Sequence, residues 1–341
     1  MPTQYLYPTN AELYEIEQDL IPVLTEDDPI FQILPMETED ADLILWEQED
    51  NFFGLQQERG INGAPGKVDA VGVNRWRLQP GYYGEFMEVD EQELTRRREF
   101  GSFNVPIKID DLVRRRQEQL LERELKRVKW IGWTTICTGT FTVSLGNQAV
   151  GHTDTFNMQR YAATTTWATK ATATPLADFR AVQLLARGHS VDFGAQATAY
   201  MNRATWNNFI ANTNNADLFG RRTAGLATYE NLDQVNKLLT GDDLPSIVVY
   251  DGNYLDNNGQ VQTYIPANTV VVVGVRPNKR PVGNYVMTRN VNNENGQAGS
   301  YTIVIDSLNT GQPVPRKIWV HKGHNGGPKV VFPSSFVIMS V

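Results

Sequence analysis

Five places in the 341-residue sequence carry side chains whose types and spacing suggest chemistry. Gly66-Lys67 resembles the end of a phosphate-binding loop, in which backbone N–H groups and a lysine cradle phosphates. Ile61 stands where that loop needs its first glycine and Val68 where a hydroxyl must meet magnesium, so the loop chemistry is not there. Gly188-His189-Ser190-Val191-Asp192 approaches a nucleophile elbow. Asp192, however, replaces the glycine that close packing of strand and helix requires, and the segment follows a helical pattern instead of a strand. His321 and His324 have ligand-like spacing, but His-Lys-Gly-His lies in a Gly- and Pro-rich stretch that reads as a solvated loop, and no metal site is expected. The carboxylate pairs Glu37/Glu39 and Glu47/Glu49 would do acid–base work only if folding set them across a cleft at about 5–9 Å. Arg96-Arg97-Arg98 concentrates positive charge suited to a phosphate or to neighbouring carboxylates. No catalytic, metal-binding or cofactor-binding residue is assigned, and no cofactor is expected.

The elements that must position these groups are organised around the stretch from Ile109 to Trp133. Apolar side chains recur at Ile109, Leu112, Val113, Leu120, Leu121, Leu125, Val128 and Ile131, a helical spacing. Arg114, Arg115, Arg116 and a series of Glu and Lys residues fill the other face, with Arg114/Glu118 and Glu122/Lys126 at the i, i+4 separation that supports an exposed helix surface. Such a helix spans roughly 35 Å and suits a structural spine. Ahead of it, Leu43–Trp46 and a return limb holding Val68, Val71, Val73, Trp76 and Leu78 read as a long hairpin closing at Pro80-Gly81. A hairpin so polar has little core of its own and needs another surface to lie on.

Charge is distributed unevenly. Residues 1–50 hold 14 acidic side chains and no Lys or Arg, within a chain whose net charge is −8, so the remainder is net basic. An acidic arm on a basic body is expected to lie on a complementary surface of a neighbouring copy, with Leu20, Ile21, Ile30, Phe31 and Ile33 among its apolar anchors. A strong duplex-DNA grip needs a dominant basic face, which leaves only weak contact through Arg-rich patches. The longest apolar run, Val270–Val275, is far too short for a membrane span, and Met1–Asn10 lacks the pattern of an export signal, so no membrane partner is expected. The single cysteine, Cys137, excludes an internal disulfide and reads as a buried small hydrophobe.

In the arm, Thr9-Asn10 caps a short helix through Tyr14, Ile16 and Leu20 that Pro22 restricts. After the hairpin, Gly84–Thr95 reads as a strand or turn entering a short helix. After the spine, Thr140–Leu145 is a β-type run, whereas 151–174 gives no pattern. Thr174-Pro175 starts a helix that stops at Gly188. Further helices are predicted over Thr198–Ala211 and Tyr229–Leu239. Beyond Pro245 the predicted strands are Ile247–Tyr250, Val261–Ile265, Thr269–Val275, Tyr301–Ile305, Lys317–Val320, Lys329–Phe332 and Phe336–Met339, with Asn257-Asn258-Gly259 as a hairpin turn. The class is α+β.

Taken in order, these segments resemble the lambda-type major head proteins of tailed phages, which have the HK-97-like capsid fold. The acidic leader ending in Asp28-Pro29-Ile30-Phe31 resembles that family's N-arm, and Gly60–Tyr82, with Gly63-Ala64-Pro65-Gly66-Lys67 at its tip, its extended E-loop. Glu91–Gly101 resembles the segment before the spine helix, Arg114–Gly139 with Thr138-Gly139-Thr140-Phe141-Thr142-Val143 the spine and the strand after it, and Trp167–Phe179 the entry to the next helix. The resemblance implies an N-arm (1–34), the start of a peripheral domain (35–49), an E-loop (50–82), the peripheral domain with its spine (83–175), an axial domain (176–299) and C-terminal strands returning to the peripheral domain (300–341).

It further implies a non-enzymatic shell subunit that assembles in the host bacterial cytoplasm into the icosahedral virion capsid around double-stranded DNA. Its partners would be itself, as pentamers and hexamers, with a scaffold, a portal, a decoration protein and weakly held DNA. The implied neighbour contacts are Lys67, Trp76, Arg96, Arg97, Arg98, Arg114, Arg115, Arg116, Asp27, Asp28 and Phe31. The lysine-to-asparagine cross-link of the founding fold is not expected at Lys67, because the lambda-type group generally lacks it. The alternatives are an encapsulin-like compartment shell and, from another class, a soluble hydrolase using the carboxylates or Ser190.

Overall fold

The computed structural model describes residues 10–49, 73–96, 107–145, 149–213, 232–256, 258–277, 281–293, 296–311 and 315–341, with 55–56, 58–61, 63–64 and 66. Lys67, Arg97 and Arg98 lie outside the described residues. The helices are α1 (Asn10–Thr25), α2 (Pro29–Ile33), α3 (Glu91–Arg96), α4 (Ile109–Thr138), α5 (Pro175–Leu184), α6 (Arg203–Ile210) and α7 (Leu232–Gly241). The strands are β1 (Met36–Thr38), β2 (Ile44–Glu49), β3 (Val73–Leu78), β4 (Gly81–Val89), β5 (Thr140–Leu145), β6 (Ala149–Thr155), β7 (Gln159–Ala162) and β8 (Thr198–Met201), followed by β9 (Ser246–Val249), β10 (Asn253–Leu255), β11 (Val261–Thr263), β12 (Thr269–Val273), β13 (Gly283–Thr288), β14 (Tyr301–Asp306), β15 (Ile318–Val330) and β16 (Phe336–Ser340).

The spine, α4, runs 30 residues, five beyond the apolar pattern. Of the two stops the sequence offers, Gly132 and Gly139, the chain uses Gly139, whose positive φ of 75° lets its N–H close on the Thr135 carbonyl at 2.7 Å. Gly132 does not end the helix. It is a packing notch: a Cβ there would stand 2.7 Å from Cγ1 of Ile30 on α2. Alanine should favour the helix by about 1 kcal/mol, yet overpacking against Ile30 costs about 1–3 kcal/mol, so Gly132→Ala is expected to destabilise. Ile30→Ala should relieve that cost in a double-mutant cycle of denaturant unfolding, whereas additive losses would remove the notch as the reason for glycine.

Two mixed sheets flank the spine. One has the order β1-β13-β15-β14, with β4 on the opposite side of β15; the other has the order β7-β16-β12-β8-β9. β15 is the keel of the first, antiparallel to β4, β13 and β14 along its 13 residues. The sequence split this strand in two and read its middle as a solvated loop. The glycines responsible are there because neighbours come close: a Cβ on Gly323 would lie 2.3 Å from the Tyr83 carbonyl, and one on Gly326 2.6 Å from that of Val286. The chain therefore re-enters the spine's sheet at β13, before residue 300, and β16 returns to the second sheet, paired with β12 and β7.

Other expectations change as well. α1 continues through Pro22, which forfeits only its own N–H bond while its carbonyl accepts from Glu26 N at 2.9 Å. The helix predicted over Thr198–Ala211 divides at Asn202, whose carboxamide oxygen accepts from Thr205 N at 2.8 Å and caps α6, leaving β8 to pair with β12 and β9. Within 151–174, β7 and most of β6 emerge from a pattern too Thr-rich to read. The spine's end, α2, the hairpin base and the inner faces of both sheets share one core around Trp133, Ile136, Ile30, Ile44 and Tyr285. A second core joins α5, α6 and α7 to β8, β12 and β16 around Trp167, Phe179 and Phe209.

Candidate subunit contacts and a buried charge cluster

The hairpin base is built by β2 and β3, which pair antiparallel with Trp46 opposite Trp76 and Ile44 opposite Leu78. The two indoles lie 6.0 Å apart and nearly parallel, and Trp76 Nε1 donates to Gln48 Oε1 at 3.2 Å. Alternation turns Ile44, Trp46, Trp76 and Leu78 to the subunit core, and Leu45, Glu47, Val73, Arg75 and Arg77 outward. Leu45 and Val73 are more than half exposed. Trp76 is thus half-buried under its own hairpin, and the apolar side chains left over belong to the opposite face.

The other sequence-nominated contacts divide by what they touch. Asp28 is buried: its carboxylate takes Lys129 Nζ at 2.9 Å, the Tyr250 hydroxyl at 2.7 Å and the N–H of Ile30 at 3.2 Å. Phe31 packs half-buried on the core beneath the Lys129 ammonium. Arg114 pairs backwards with Asp110 at 3.2 Å and not with Glu118, and Arg116 bonds Glu93 of α3 at 2.6 Å. Asp27, Arg96 and Arg115 remain exposed. The arm's acidic charge also meets basic side chains of its own chain at Glu39–Lys329, Asp40–Arg289 and Glu47–Arg75. The electrostatic complement expected on a neighbour is, for these residues, supplied in cis.

Sequence reasoning missed a concentrated polar site, a buried cluster where α1, α4 and β13–β15 meet. Lys322 Nζ reaches Glu17 Oε2 at 2.8 Å, Glu124 Oε2 at 3.0 Å and Ser300 Oγ at 2.9 Å. Glu17 also accepts from Gln117 Nε2 at 2.8 Å and from the Thr302 hydroxyl. His324 is fully enclosed, its Nδ1 2.8 Å from Glu124 Oε1 and its Nε2 2.9 Å from the Tyr285 hydroxyl. Burial alone would raise the Glu124 carboxyl, but the Lys322 charge and hydrogen bonds from His324 and Ser300 outweigh it and hold the group down at about 2. Burial pulls the Lys322 ammonium the other way, and the two carboxylates overcome it, so its value is raised. Burial also pushes the Tyr285 hydroxyl well above its ordinary range.

Ser300 Oγ beside Lys322 Nζ has the spacing of a nucleophile and its base, but the chemistry runs against that role. Ser300 gives its proton to Glu124, at 2.8 and 3.0 Å from the two carboxylate oxygens, and a lysine held protonated by two carboxylates cannot accept one. Among the other nominated groups, Glu39 and Glu47 are paired with Lys329 and Arg75. Ser190 lies in a bend after α5, and Glu37 accepts from Asn284 of β13. The signal that could have revealed the cluster is the alternation Val320, Lys322, His324 on one face of a strand, which the glycines disguised.

The sequence model of the family described as phage major capsid protein E matches residues 62–312, from within the hairpin to the end of β14 and just beyond. The chain belongs to the phage major capsid protein E family. Its fold is the HK-97-like capsid fold, with the long spine helix lying between the sheet of β1, β4 and β13–β15 and the sheet of β7–β9, β12 and β16. Among solved structures it is similar to a prophage capsid protein of E. coli CFT073, at 14% identity over 95% of this chain and 98% of that one, with a TM-score of 0.56. A phage-related protein of Bordetella bronchiseptica RB50 shares 9% identity over 94% of this chain and 96% of that one, with a TM-score of 0.51. No curated protein matches the sequence. As a member of the major capsid protein E family, the chain is a shell-forming major capsid protein of the virion.

Proposed function

We propose that this subunit builds, as pentamers and hexamers, the icosahedral head shell that encloses double-stranded phage DNA, and that it does so without catalysis. The observation that carries the reading beyond the family is the hairpin: its outward Leu45 and Val73 are uncovered within the chain, and Leu55 and Ile61 are almost wholly exposed. The outward face of the hairpin base, where half-exposed Leu45 and Val73 flank the Glu47–Arg75 pair, is stabilised when it lies on an adjacent copy. Asp27, Arg96 and Arg115, which keep exposed charge, are the proposed electrostatic partners at such boundaries, with Lys67, Arg97 and Arg98 outside the described residues. We assign the spine and the sheet of β1, β4 and β13–β15 to the peripheral domain, and the sheet of β7–β9, β12 and β16 with α5–α7 to the axial one. Assembly in the host cytoplasm, a scaffold, a portal and a decoration protein belong to the same proposal. The net charge of −8 supports a wall that packaged DNA touches only weakly.

Electron microscopy of the purified full-length protein tests this. Closed shells or ring-shaped capsomers are the expected result, with nucleic acid inside shells recovered from infected cells. Monomers or dimers under all assembly conditions would overturn the shell reading, and shells filled with protein cargo alone would overturn the DNA reading.

A further inference from the structure

We propose that α1 is a hinged strap, latched to the subunit by insertion of Glu17 between Lys322, Gln117 and Thr302 and anchored independently by Asp28. The latch is small. Of the α1 residues whose burial is described, only Leu13 and Glu17 are fully buried, while Tyr14 and Val23 stand more than half exposed. Leu13 sits in a cluster with Leu112, Val113 and Leu120 of the spine, and Gln117 Nε2 ties its carbonyl at 2.6 Å. Ile16, Leu20, Ile21 and Leu24 are half-buried, so among the described side chains of this 16-residue helix one apolar knob and one carboxylate are the enclosed contacts.

The anchor lies on the far side of a short hinge. Glu26 and Asp27 alone separate Thr25, the last residue of α1, from Asp28, whose carboxylate is fixed by Lys129, Tyr250 and its own helix cap. Ile30 is seated in the Gly132 notch immediately afterwards. α1 can therefore leave without drawing α2 from the core.

The body is built to survive that departure. When Glu17 withdraws, Lys322 keeps Glu124 at 3.0 Å and Ser300 at 2.9 Å, so no lone charge is left buried. Glu124 in turn keeps His324, and His324 keeps Tyr285. The cluster holds two carboxylates for one ammonium, and the one on the strap is the dispensable member. Removing Glu124 instead would break the body's own pair.

Hydrogen–deuterium exchange of the full-length protein, read by mass spectrometry, separates a strap from a fixed element. In the native protein, α1 amides are expected to exchange together and faster than those of the spine. Glu17→Gln removes the charge-assisted bond and should speed α1 exchange roughly tenfold while the spine is unchanged. Removal of residues 1–25 should likewise leave spine protection intact. Spine protection lost in both variants would make the cluster an indivisible core and overturn the strap. So would α1 protection equal to that of the spine and indifferent to Glu17→Gln. None of these outcomes depends on whether the protein forms shells.

Discussion

Replacing Lys322 by methionine is expected to destabilise the subunit by about 3–5 kcal/mol, because it strands the Glu124 carboxylate of the spine and removes the charge that holds Glu17 in place. Lys322 and His324 are almost completely buried, as are Glu17 and Glu124, so solvent cannot substitute for the missing ammonium. The pH dependence should change sign. In the native protein the Glu124 carboxyl lies at about 2, below its ordinary 4.5, so its contribution is complete above the ordinary value and is lost only as pH falls towards 2. Stability from this group is therefore flat between pH 7 and 5. Without Lys322, burial dominates and pushes the Glu124 carboxyl upward, so the folded state is relieved by its protonation and gains stability as pH falls from 7 to 5. Denaturant unfolding at the two pH values checks both statements; a variant as stable as the native subunit, or one with an unchanged pH slope, contradicts them. A triple replacement, Lys322→Met with Glu17→Gln and Glu124→Gln, should recover much of the loss, since the uncompensated charges are gone.

The second large effect is expected at Trp133, where alanine should cost about 3–5 kcal/mol. The indole is fully enclosed near the end of the spine, stacked on Tyr250 at 4.6 Å and met edge-on by Tyr200 at 5.6 Å. Tyr200 belongs to β8 of the second sheet, and Tyr250 gives its hydroxyl proton to Asp28, so this one side chain joins spine, second sheet and arm anchor. Trp133→Ala should therefore loosen α2 as well as lower stability, read as faster exchange at Leu34, whose N–H bonds the Ile30 carbonyl at 2.7 Å. Trp319, half-exposed on β15 with its Nε1–H on Glu88, serves as the contrast, and its alanine variant should cost much less. Equal losses at the two sites would mean that burial at the spine's end is not what makes Trp133 important.

By itself the sequence determined the spine, the hairpin base, the strands β9, β11, β12, β14 and β16 and the order in which they follow one another, whereas it missed β13 and split β15. Each rests on a local period: 3.6 along Ile109–Ile131, 2 along Ile44–Trp46 and Trp76–Leu78, and continuous apolar runs in β12 and β16. That order was enough to suggest the family. Contacts at long range decided the rest. Gly132, Gly323 and Gly326 look like breaks in one dimension and prove to be places where Ile30, Tyr83 and Val286 approach too closely for a Cβ. The charged cluster gathers Glu17, Glu124, Ser300, Lys322 and His324, with Glu17 and Lys322 in contact although 305 residues apart, and no spacing in the chain announces it. His321 and His324 illustrate the difference. The sequence placed both in solvent, whereas the pleat of β15 sends His324 inward to Glu124 and leaves His321 stacked on Phe86 at the opposite face. Periodicity reports which residues share a face; only the packed tertiary structure decides which faces meet, and so which charges are paired where water cannot reach them.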